Sequence, residues 1–432
     1  MEGLNKSIHV LYNLSQLVIL PPLFPLLTIF ALSNDKYKDS FLARLGFGLK
    51  KYKSKGTKRI WIHTLSLGEF HGATSLIKGI KREFKDLDIV LSASTKTGLM
   101  AIKKSNFSKD SKVISAPYDI NFVTKKFINY IKPDLFILVE TDIWPNLLWG
   151  LKKKGTKIIL VNGSISSKAT KKLSNLPFLA SYLYDPFTFL GMQSDDDVRR
   201  LKSLGIKKNI LKIGNIKFDL NLKELPAKEK RELIAKAGFN ESDKIFIAGS
   251  THKPEEKVCI DIFYDIKRKI PNLKLIIAPR DIKRGLEIKN MCLSKGLRAC
   301  LRTEKAKNSK LDVTILDTFG ELAKFYNICH VAFVGGSLSP VGGHNILEPI
   351  FLGKPVIFGP HMESFREIAL TVHKTGAGVM VNNAEDLSKA IFSFLTNEKI
   401  RKKAKEKGQF IIRENKGSVK KYLDIISSFL EQ

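Results

Sequence analysis

Short apolar runs alternate with amphipathic stretches along most of this 432-residue chain. This rhythm is typical of βαβ units, which build parallel sheets covered by helices. A first series predicts strands at 59–63, 89–93, 112–115, 135–139 and 158–161. After a weaker stretch at 214–226, a second series predicts strands at 245–248, 275–278, 313–316, 331–334, 356–358 and 378–381.

The two series predict an α/β protein with two doubly wound, Rossmann-like domains that are joined near residue 220 and face a cleft. Helical patterns at 121–131 and 144–153 fill intervals between the strands. Ligands of such sheets bind at the carboxyl ends of the strands. We expect an N-terminal domain at 35–219 and a C-terminal domain at 220–432, the latter ending in basic helices.

The segment before these domains is apolar. Residues 10–32 carry no charge, and their number is close to the roughly 20 that a spanning helix needs. No small-residue cleavage signature follows, which favours a retained anchor at 1–34 over a removed signal peptide. Pro21, Pro22 and Pro25 leave a monotopic or re-entrant insertion open as an alternative to a span.

The charge balance is strongly basic, with 73 Lys and Arg against 42 Asp and Glu and a net charge of +31. Such an excess implies a polyanionic partner: nucleic acid, an anionic membrane or a phosphorylated substrate. Basic residues beside an apolar segment mark the cytoplasmic side of a membrane. Those that follow the anchor are Lys36, Lys38, Arg44, Lys50, Lys51, Lys53, Lys55, Lys58 and Arg59, against Asp35 and Asp39.

Acidic residues follow two predicted strands of the first domain. Gly68 and Glu69 come after the first strand, where the carboxylate can be a general base or can complement a helix dipole. Glu140 directly follows five apolar residues, where a charge should be partnered or functional. Lys217 lies in the joint between the domains, and such a lysine is usually solvated.

Polar residues also follow strands of the second domain. Ser250, Thr251 and His252 stand between a strand and a helix, an arrangement that suits a phosphate or a helix cap. Pro279 and Arg280 close the next strand, and an arginine there can form a fork with a phosphate or carboxylate.

The stretch 330–360 combines a buried-type strand with a glycine-rich turn and a helix start. The backbone amides of such a turn suit a phosphate, and Gly336 belongs to it. Asn345 can cap the helix, and Glu348 can complete a capping box. The turn matches neither the dinucleotide fingerprint nor the P-loop.

Two other patterns give no metal or disulfide prediction. The run 195–197 consists of three aspartates, which could bind a metal but directly precede a helical pattern, so we interpret them as complementing its dipole. The four cysteines are scattered without ligand spacing and indicate no zinc site or disulfide framework.

In order and spacing these motifs resemble the 3-deoxy-D-manno-octulosonic acid (Kdo) transferase family, membrane-anchored lipopolysaccharide glycosyltransferases of GT-B fold. Each motif is modest, but the series covers nearly the whole chain. The matching stretches are 44–46, 66–69, 94–98, 140–146, 214–219, 249–252, 279–280, 317–322, 333–349 and 359–361.

The resemblance implies an inverting transfer of Kdo from CMP-Kdo to the lipid A precursor lipid IVA, without a metal or other cofactor. It implies that Glu69 is the catalytic base and that Glu140 and Lys217 support the transition state. It implies that CMP-Kdo is bound by Pro279, Arg280, Phe319, Gly320, Glu321, Asn345, Ile346, Leu347 and Glu348. Further candidates for substrate binding are Gly68, Ser250, Thr251, His252 and Gly336.

The same resemblance implies an enzyme of the inner membrane, with catalytic domains on the cytoplasmic face and an anionic membrane surface, not nucleic acid, as partner. Three residues depart from the family pattern: Asp142 where Glu is common, Phe319 where Met is usual, and Asp281 where His is common. One alternative is another GT-B transferase that uses a UDP- or ADP-sugar on a membrane lipid. The other, a non-enzymatic basic protein, gives no reason for Glu69 and Glu140 at strand ends.

Overall fold

The structure, a computed structural model, describes residues 2–34, 38–49, 58–140, 142–219, 222–304 and 311–431. The strands are β1 Lys58–Thr64, β2 Leu87–Ala93, β3 Lys112–Ser115, β4 Leu135–Val139, β5 Lys157–Gly163, β6 Phe189–Met192, β7 Asn209–Lys212, β8 Lys244–Thr251, β9 Leu273–Pro279, β10 Ala299–Leu301, β11 Val313–Ile315, β12 Val331–Val334, β13 Val356–Phe358 and β14 Gly378–Met380. The helices are α1 Glu2–Ser33, α2 Lys38–Arg44, α3 Leu67–Glu83, α4 Lys96–Lys104, α5 Asn121–Ile131, α6 Pro145–Lys153, α7 Ser167–Ser174, α8 Pro177–Tyr184, α9 Asp195–Ser203, α10 Ala227–Lys236, α11 Glu255–Lys267, α12 Gly285–Leu293, α13 Leu322–Phe325, α14 Leu347–Phe351, α15 Arg366–Thr375, α16 Ala384–Thr396, α17 Glu398–Asn415 and α18 Ser418–Glu431.

The chain forms two compact units. Unit 1 comprises Met1–Asp219 and Asn415–Gln432, and unit 2 comprises Leu220–Glu414. The division expected from sequence carried the second domain to residue 432, and in this respect the structure differs. The end of the chain belongs to unit 1 because α18 buries apolar side chains in its core, namely Tyr422, Leu423, Ile426 and Leu430.

Unit 1 is built on a parallel sheet of seven strands in the order β3-β2-β1-β4-β5-β6-β7. Side chains that alternate along β1 enter different core clusters: Trp61 belongs to one, and Ile60 and Ile62 to the other. Both faces of the sheet are therefore covered, which explains the apolar runs of its central strands β4 and β5. The strand order reverses between β1 and β4, and ligands of open α/β sheets bind at such a point.

Helix α18 fits against unit 1 through two glycines. A Cβ at Gly191 of β6 would stand 2.5 Å from the Tyr422 ring, and one at Gly79 of α3 would stand 2.7 Å from Leu423. The hydroxyl of Tyr422 also accepts a hydrogen bond from the backbone N–H of Asn162, at 2.9 Å. Helix α18 therefore helps to hold the carboxyl end of β5 in place.

Unit 2 repeats the architecture, with the strand order β10-β11-β9-β8-β12-β13-β14. Phe246 and Ala248 of β8 enter one core cluster, and Ile245 and Ile247 enter another, so both faces of this sheet are buried as well. The order reverses between β8 and β12. The carboxyl ends of β9, β8 and β12 are therefore adjacent, and the residues that follow these strands meet.

The two doubly wound sheets confirm the predicted fold class, and each of the eleven predicted strands overlaps a strand of the structure. The sequence analysis missed β6, β7 and β10. These strands are short, with four, four and three residues. Strand β7 also lies at a sheet edge with mostly exposed side chains, so it lacks the apolar signal of a buried strand.

Helix α1 coincides with most of the predicted anchor. Among the described residues it is the one helix apolar and long enough to cross a membrane, over Gly3–Leu26 with a mean hydropathy of 1.3. Its three prolines lie inside the helix without ending it. The predicted basic flank is described only in part, because Lys36, Lys50, Lys51, Lys53 and Lys55 lie outside the described residues, as does Asp35.

Candidate active site

Glu69 lies in the first turn of α3, directly after β1. Ser66 caps this helix, and its hydroxyl accepts a hydrogen bond from the N–H of Glu69. The carboxylate of Glu69 accepts a hydrogen bond from the N–H of Leu65 at 2.5 Å, and the residue is only 8% exposed. Burial, reinforced by the charge of Glu140, raises the pKa of Glu69 to about 8.

Glu140 lies at the end of the neighbouring strand β4 and forms an ion pair with Lys217. The Lys217 ammonium lies 2.8 Å from Oε1 of Glu140, and both side chains are largely buried. The stem of Lys217 crosses Gly72, one turn beyond Glu69, where a Cβ would stand 3.1 Å away. Residues from three separate segments thus meet at the point where the strand order reverses.

Asn162, which the sequence analysis did not predict, holds this group together. Its side-chain amide donates to Oε1 of Glu140 at 3.3 Å, and its side-chain oxygen accepts from the N–H of Ile216 at 3.0 Å. Asn162 and Glu140 both adopt left-handed backbone conformations, with φ of 59° and 68°. Strained residues of this kind concentrate at functional sites.

A second carboxylate of the same loop, Asp142, contacts His63 and Ser94. Its Oδ2 lies 3.2 Å from Nε2 of His63 and 3.3 Å from the hydroxyl of Ser94. Burial would raise the pKa of Asp142, but hydrogen bonds, led by that from His63, hold it below its ordinary value. His63 is fully buried in β1 and was not predicted as a site residue.

The arrangement separates two carboxyl groups by their proton affinity. Asp142 stays ionised, whereas Glu69 has a pKa near neutral pH. A carboxyl group poised in this way can accept a proton from a substrate hydroxyl and later release it. Gly68 lies beside Glu69 in the first turn of α3, so its backbone borders the same site.

In unit 2, predicted residues from three adjacent strand ends form a second group. Nε2 of His252 lies 2.9 Å from Nε2 of His344, with the two rings stacked 5.1 Å apart. Burial, followed by the charge of Arg280, lowers the pKa of His344 to about 3. A Cβ at Gly336 would stand 3.0 Å from this histidine. His344 is a neighbour that the sequence analysis did not select.

Arg280 and Glu348 influence each other in the same group. Burial raises the pKa of Glu348 to about 7, while the Asn345 side chain and the Arg280 guanidinium oppose the shift. Asn345 donates to Oε1 of Glu348 at 3.4 Å and accepts from the N–H of Leu347 at 3.0 Å. Asn345 therefore bonds to the first residue of α14, but the N-cap of this helix is Ile346, without a side-chain cap. The predicted capping box differs as well, because Glu348 bonds to the side chain of Asn345 and not to its backbone N–H. The Arg280 guanidinium gives this group a cationic donor for an anion, while the two histidine rings bond to each other.

The other residues predicted around this group differ in what they can offer. The side chains of Ile346 and Leu347 are fully buried, which leaves only their backbone for a ligand. Pro279 is buried at the end of β9. Ser250 has a left-handed φ of 54°. The hydroxyl of Thr251 is buried and lacks a hydrogen-bond partner within the described part of the chain.

The predicted residues after β11 form a separate turn. Glu321 accepts a hydrogen bond from the hydroxyl of Thr318 and lies 3.4 Å from the Arg302 guanidinium. Gly320 has a φ of 82°, which favours glycine. Phe319 is 74% exposed, so its ring is accessible to a ligand.

The sequence analysis predicts that the backbone amides of the turn after β12 bind a phosphate. In the structure these amides bind a carboxylate of the chain itself. Glu255, in the first turn of α11, accepts from five backbone N–H groups at 2.7–3.2 Å, namely those of His252, Gly336, Ser337, Leu338 and Ser339. The predicted phosphate-binding role of these amides is therefore not available while Glu255 occupies them. Gly336 borders the site through its closeness to His344.

We expect Glu255→Gln to destabilise unit 2, because its side-chain NH₂ group would face backbone donors and leave buried N–H groups unsatisfied. The free energy of unfolding should fall by about 2 kcal/mol. Urea denaturation followed by circular dichroism measures the change. Glu287→Gln, which removes an exposed partner of Arg284, is the control and should leave the free energy of unfolding nearly unchanged. Equal effects of the two variants would contradict this role of Glu255.

Within the described ranges, no group of three or more His, Cys, Asp or Glu side chains is arranged to hold a metal ion. The aspartates 195–197 occupy the first turn of α9, as the dipole interpretation predicts. Asp197 also accepts a hydrogen bond from the N–H of Ile165 at 2.9 Å. These carboxylates therefore have structural partners.

Comparison with known proteins places the chain in a class. Residues 39–220 match the family model of 3-deoxy-D-manno-octulosonic-acid transferase, and residues 229–410 match that of glycosyl transferases group 1. A glycosyltransferase structure from Rickettsia africae has a TM-score of 0.57 at 16% identity, over 87% of this chain and 99% of its own, which shows a shared fold. The two sheets and these matches define a glycosyltransferase of GT-B fold.

Two relatives narrow the class to a family. A 3-deoxy-D-manno-octulosonic acid transferase of Rickettsia typhi is 30% identical over 395 residues, 90% of this chain and 83% of the relative. A bifunctional glycosyltransferase/methyltransferase of Fusobacterium nucleatum is 35% identical over 374 residues, 85% of this chain but 57% of the relative's length. The chain belongs to the 3-deoxy-D-manno-octulosonic acid (Kdo) transferase family. This finding confirms the resemblance inferred from its motifs.

Proposed function

We propose that the protein is an inverting glycosyltransferase that moves Kdo from CMP-Kdo to lipid IVA in lipopolysaccharide biosynthesis. Membership of the Kdo transferase family supports the sugar that is transferred. The observation that carries the chemistry is Glu69, a largely buried carboxyl group with a pKa near 8 beside an ion pair at the switch point of the sheet.

In this mechanism Glu69 accepts the proton of an acceptor hydroxyl. The hydroxyl oxygen attacks the anomeric carbon of Kdo, and the bond from that carbon to the phosphate oxygen of CMP breaks with inversion. A base with a pKa near the working pH is effective because it is partly ionised and still basic. Its partial desolvation in unit 1 gives Glu69 this property.

The Glu140–Lys217 pair serves the charges that develop in the transition state. The sugar acquires oxocarbenium character, which nearby carboxylates stabilise, while the departing phosphate gains negative charge. Lys217 also holds the Glu140 side chain in place, because its ammonium lies 2.8 Å from that carboxylate. We assign both residues to transition-state support.

Unit 2 carries the residues that we propose for the nucleotide. Arg280 provides a planar fork for the phosphate, and the hydrogen-bonded His252–His344 pair belongs to the same group. Glu348 and Asn345 approach from the start of α14. The turn 319–321, with its exposed Phe319 ring, completes the proposed set.

Mass spectrometry of the lipid product tests the proposed function. The full chain is incubated with lipid IVA and either CMP-Kdo or UDP- and ADP-sugars. We expect a mass increase of one or more Kdo residues with CMP-Kdo alone. Transfer from a UDP- or ADP-sugar, with no product from CMP-Kdo, would overturn the donor and favour the other GT-B activity.

We expect Arg280→Lys to weaken binding of CMP to the full chain by roughly tenfold, because lysine cannot form two parallel hydrogen bonds with a phosphate. Titration calorimetry with CMP and UMP measures the loss, and the unsubstituted protein should prefer CMP. Arg413→Lys, near the end of helix α17, is the matched control and should leave the affinity unchanged. Equal affinity for CMP and UMP would contradict a CMP site.

We further propose that the protein works at the cytoplasmic face of the inner membrane, where lipid IVA would be its acceptor. The exposed apolar side chains of α1 and the net charge of +31 support an anionic membrane as partner. A phosphorylated, acylated acceptor accounts for both features.

A further inference from the structure

Helix α1 has a polar side, and this side contacts unit 1. Asn5 is buried, and Nδ1 of His9 lies 2.9 Å from the hydroxyl of Tyr182 in α8. Further along the same side, Tyr12 donates to Oδ2 of Asp119 at 2.9 Å. These positions recur every three or four residues, which places them on one face of the helix.

The polar contacts continue at Gln16. Its side chain donates to the backbone oxygen of Asp119 at 2.9 Å and accepts from the side chain of Asn146 at 3.1 Å. Asp119 in turn accepts from the backbone N–H groups of Asn146 and Leu147, at 3.0 and 2.9 Å. The helix is therefore bonded to a buried carboxylate, that of Asp119, which also binds N–H groups in the first turn of α6.

Most of the remaining surface of α1 is apolar and exposed. Its large apolar side chains are between 43% and 73% exposed, and they include Leu4, Val10, Leu11, Leu14, Leu17, Val18, Leu23, Leu26, Ile29, Phe30 and Leu32. In the first half of the helix, the polar side chains of His9, Tyr12 and Gln16 face the protein. An exposed apolar surface of this extent marks a site that contacts another protein or a membrane.

Contacts of α1 with the rest of unit 1 are spaced along the helix, although most residues from Leu17 to Leu26 are exposed. The contacts include the buried Asn5, the bonds of Tyr12 and Gln16, the ring of Phe24 at 6.4 Å from that of Phe41 in α2, and the buried Ala31. A spanning helix needs about 20 residues inside hydrocarbon. No such length of α1 is free of unit 1 within the described helix.

We propose that α1 lies in the plane of the membrane surface, with its polar side on unit 1 and its apolar side in an anionic lipid bilayer. The inference rests on the proposed function in one respect: an enzyme with a lipid acceptor works at a membrane.

A spanning orientation is opposed by the groups that α1 binds. Asp119, Asn146 and Tyr182 would have to enter the hydrocarbon with the middle of the helix, and a buried carboxylate there is costly. In the in-plane orientation these groups stay on the protein side. Only apolar side chains of α1 then enter the boundary between headgroups and acyl chains, as in interfacial helices.

Two helices near α1, namely α7 and α8, indicate that anionic lipid contacts the exposed apolar side chains of α1. Helix α8, which packs beside α1, begins next to the exposed apolar side chains of Leu176 and Phe178. Helix α7, immediately before it, carries three exposed lysines, Lys168, Lys171 and Lys172. Apolar side chains beside lysines suit anionic headgroups, whereas a second copy of this basic chain would be repelled.

Spin labels on the full chain test the orientation. Each label is attached to a single new cysteine at Leu11, Val18 or Ile29, on the exposed face of α1. Cys300 is replaced by serine, because the other native cysteines are buried. The protein is bound to vesicles that contain anionic lipid, and collisions with oxygen and with a water-soluble nickel complex give the depth of each label. A label at the exposed Leu286 of α12 is the aqueous control.

We expect the three labels to report nearly one shallow depth. A spanning helix would instead separate Leu11 from Ile29 by about 27 Å, at 1.5 Å per residue. A depth gradient of that kind would overturn the proposal, and so would spin–spin broadening from a neighbouring copy. Neither result depends on Kdo transfer. A uniform depth without transfer would contradict only the proposed function.

Charge reversal tests the lipid. Replacing Lys168, Lys171 and Lys172 with glutamate should lower partitioning into anionic vesicles by more than tenfold and leave partitioning into neutral vesicles nearly unchanged. The matched control replaces three exposed lysines of α17, namely Lys399, Lys402 and Lys403. An equal loss in both triple variants would overturn the assignment of the lipid contact to this face.

Discussion

Replacing Glu69 with glutamine is expected to lower kcat by roughly 10²–10⁴-fold, the contribution of a positioned general base. Glutamine keeps the shape of the side chain and can still accept from the N–H of Leu65, but it cannot take a proton. Binding of the nucleotide should persist, because no nucleotide-binding residue changes. Single-turnover rates at saturating donor, with CMP affinity from calorimetry, separate the two effects.

The same variant should be more stable than the unsubstituted protein at alkaline pH. The pKa of Glu69 is raised from 4.5 to about 8 in the folded state, so folding favours its protonated form. That contribution to stability is complete below about pH 4.5 and is lost as the pH rises through 8. A shift of this size corresponds to a free energy on the order of 5 kcal/mol.

Melting temperatures of the two proteins at pH 5 and pH 9 check the sign. We expect a gain for Glu69→Gln at pH 9 and nearly equal values at pH 5. A helix-end carboxylate without a catalytic role would give a small loss of stability and near-normal turnover. A variant that keeps more than about a tenth of its kcat would remove Glu69 from the role of base.

Replacing Lys217 with methionine is expected to lower the free energy of unfolding by roughly 3 kcal/mol, because it leaves the largely buried Glu140 carboxylate without its cation. Turnover should fall as well, by more than about tenfold. The double variant Lys217→Met/Glu140→Gln has no unpaired charge. It should recover much of the lost stability without recovering the rate.

The pH dependence of turnover distinguishes a Glu140–Lys217 ion pair that acts on Glu69 from one with a purely structural role. The charge of Glu140 raises the pKa of Glu69, and the charge of Lys217 lowers it. Glu140→Gln should therefore shift the rising limb of kcat/KM to lower pH, and Lys217→Met should shift it to higher pH. Unchanged pH profiles in both variants would show that the pair does not act on Glu69.

Much of this site could be predicted from the sequence, because parallel strands deliver their carboxyl ends to one edge of a sheet. Glu69 and Glu140 each follow an apolar run, so their position at that edge needed only the strand assignment. That they are neighbours depends on the order of the strands, with β1 beside β4. Lys217 was selected through the family resemblance alone.

The rest of the site could not be predicted, because its residues contact partners that are distant in sequence. Glu255 binds the N–H of Gly336 across 81 positions of the chain, and no local pattern indicates such a pair. Asn162 and His63 are buried polar residues inside strands, where they read as ordinary strand positions. His344 stood within a predicted motif, and its contact with His252 across 92 positions gives it importance only in the fold.

The position of α18 has a consequence for synthesis of the protein on the ribosome. Tyr422, whose hydroxyl supports Asn162, is translated 260 residues after it. At roughly 5–20 residues per second, the first unit waits some tens of seconds for its last helix. The second unit is continuous in sequence and can fold during that interval. The part of the chain made first is therefore the last to be completed, and until then the pocket that receives Tyr422 is open to chaperones and proteases.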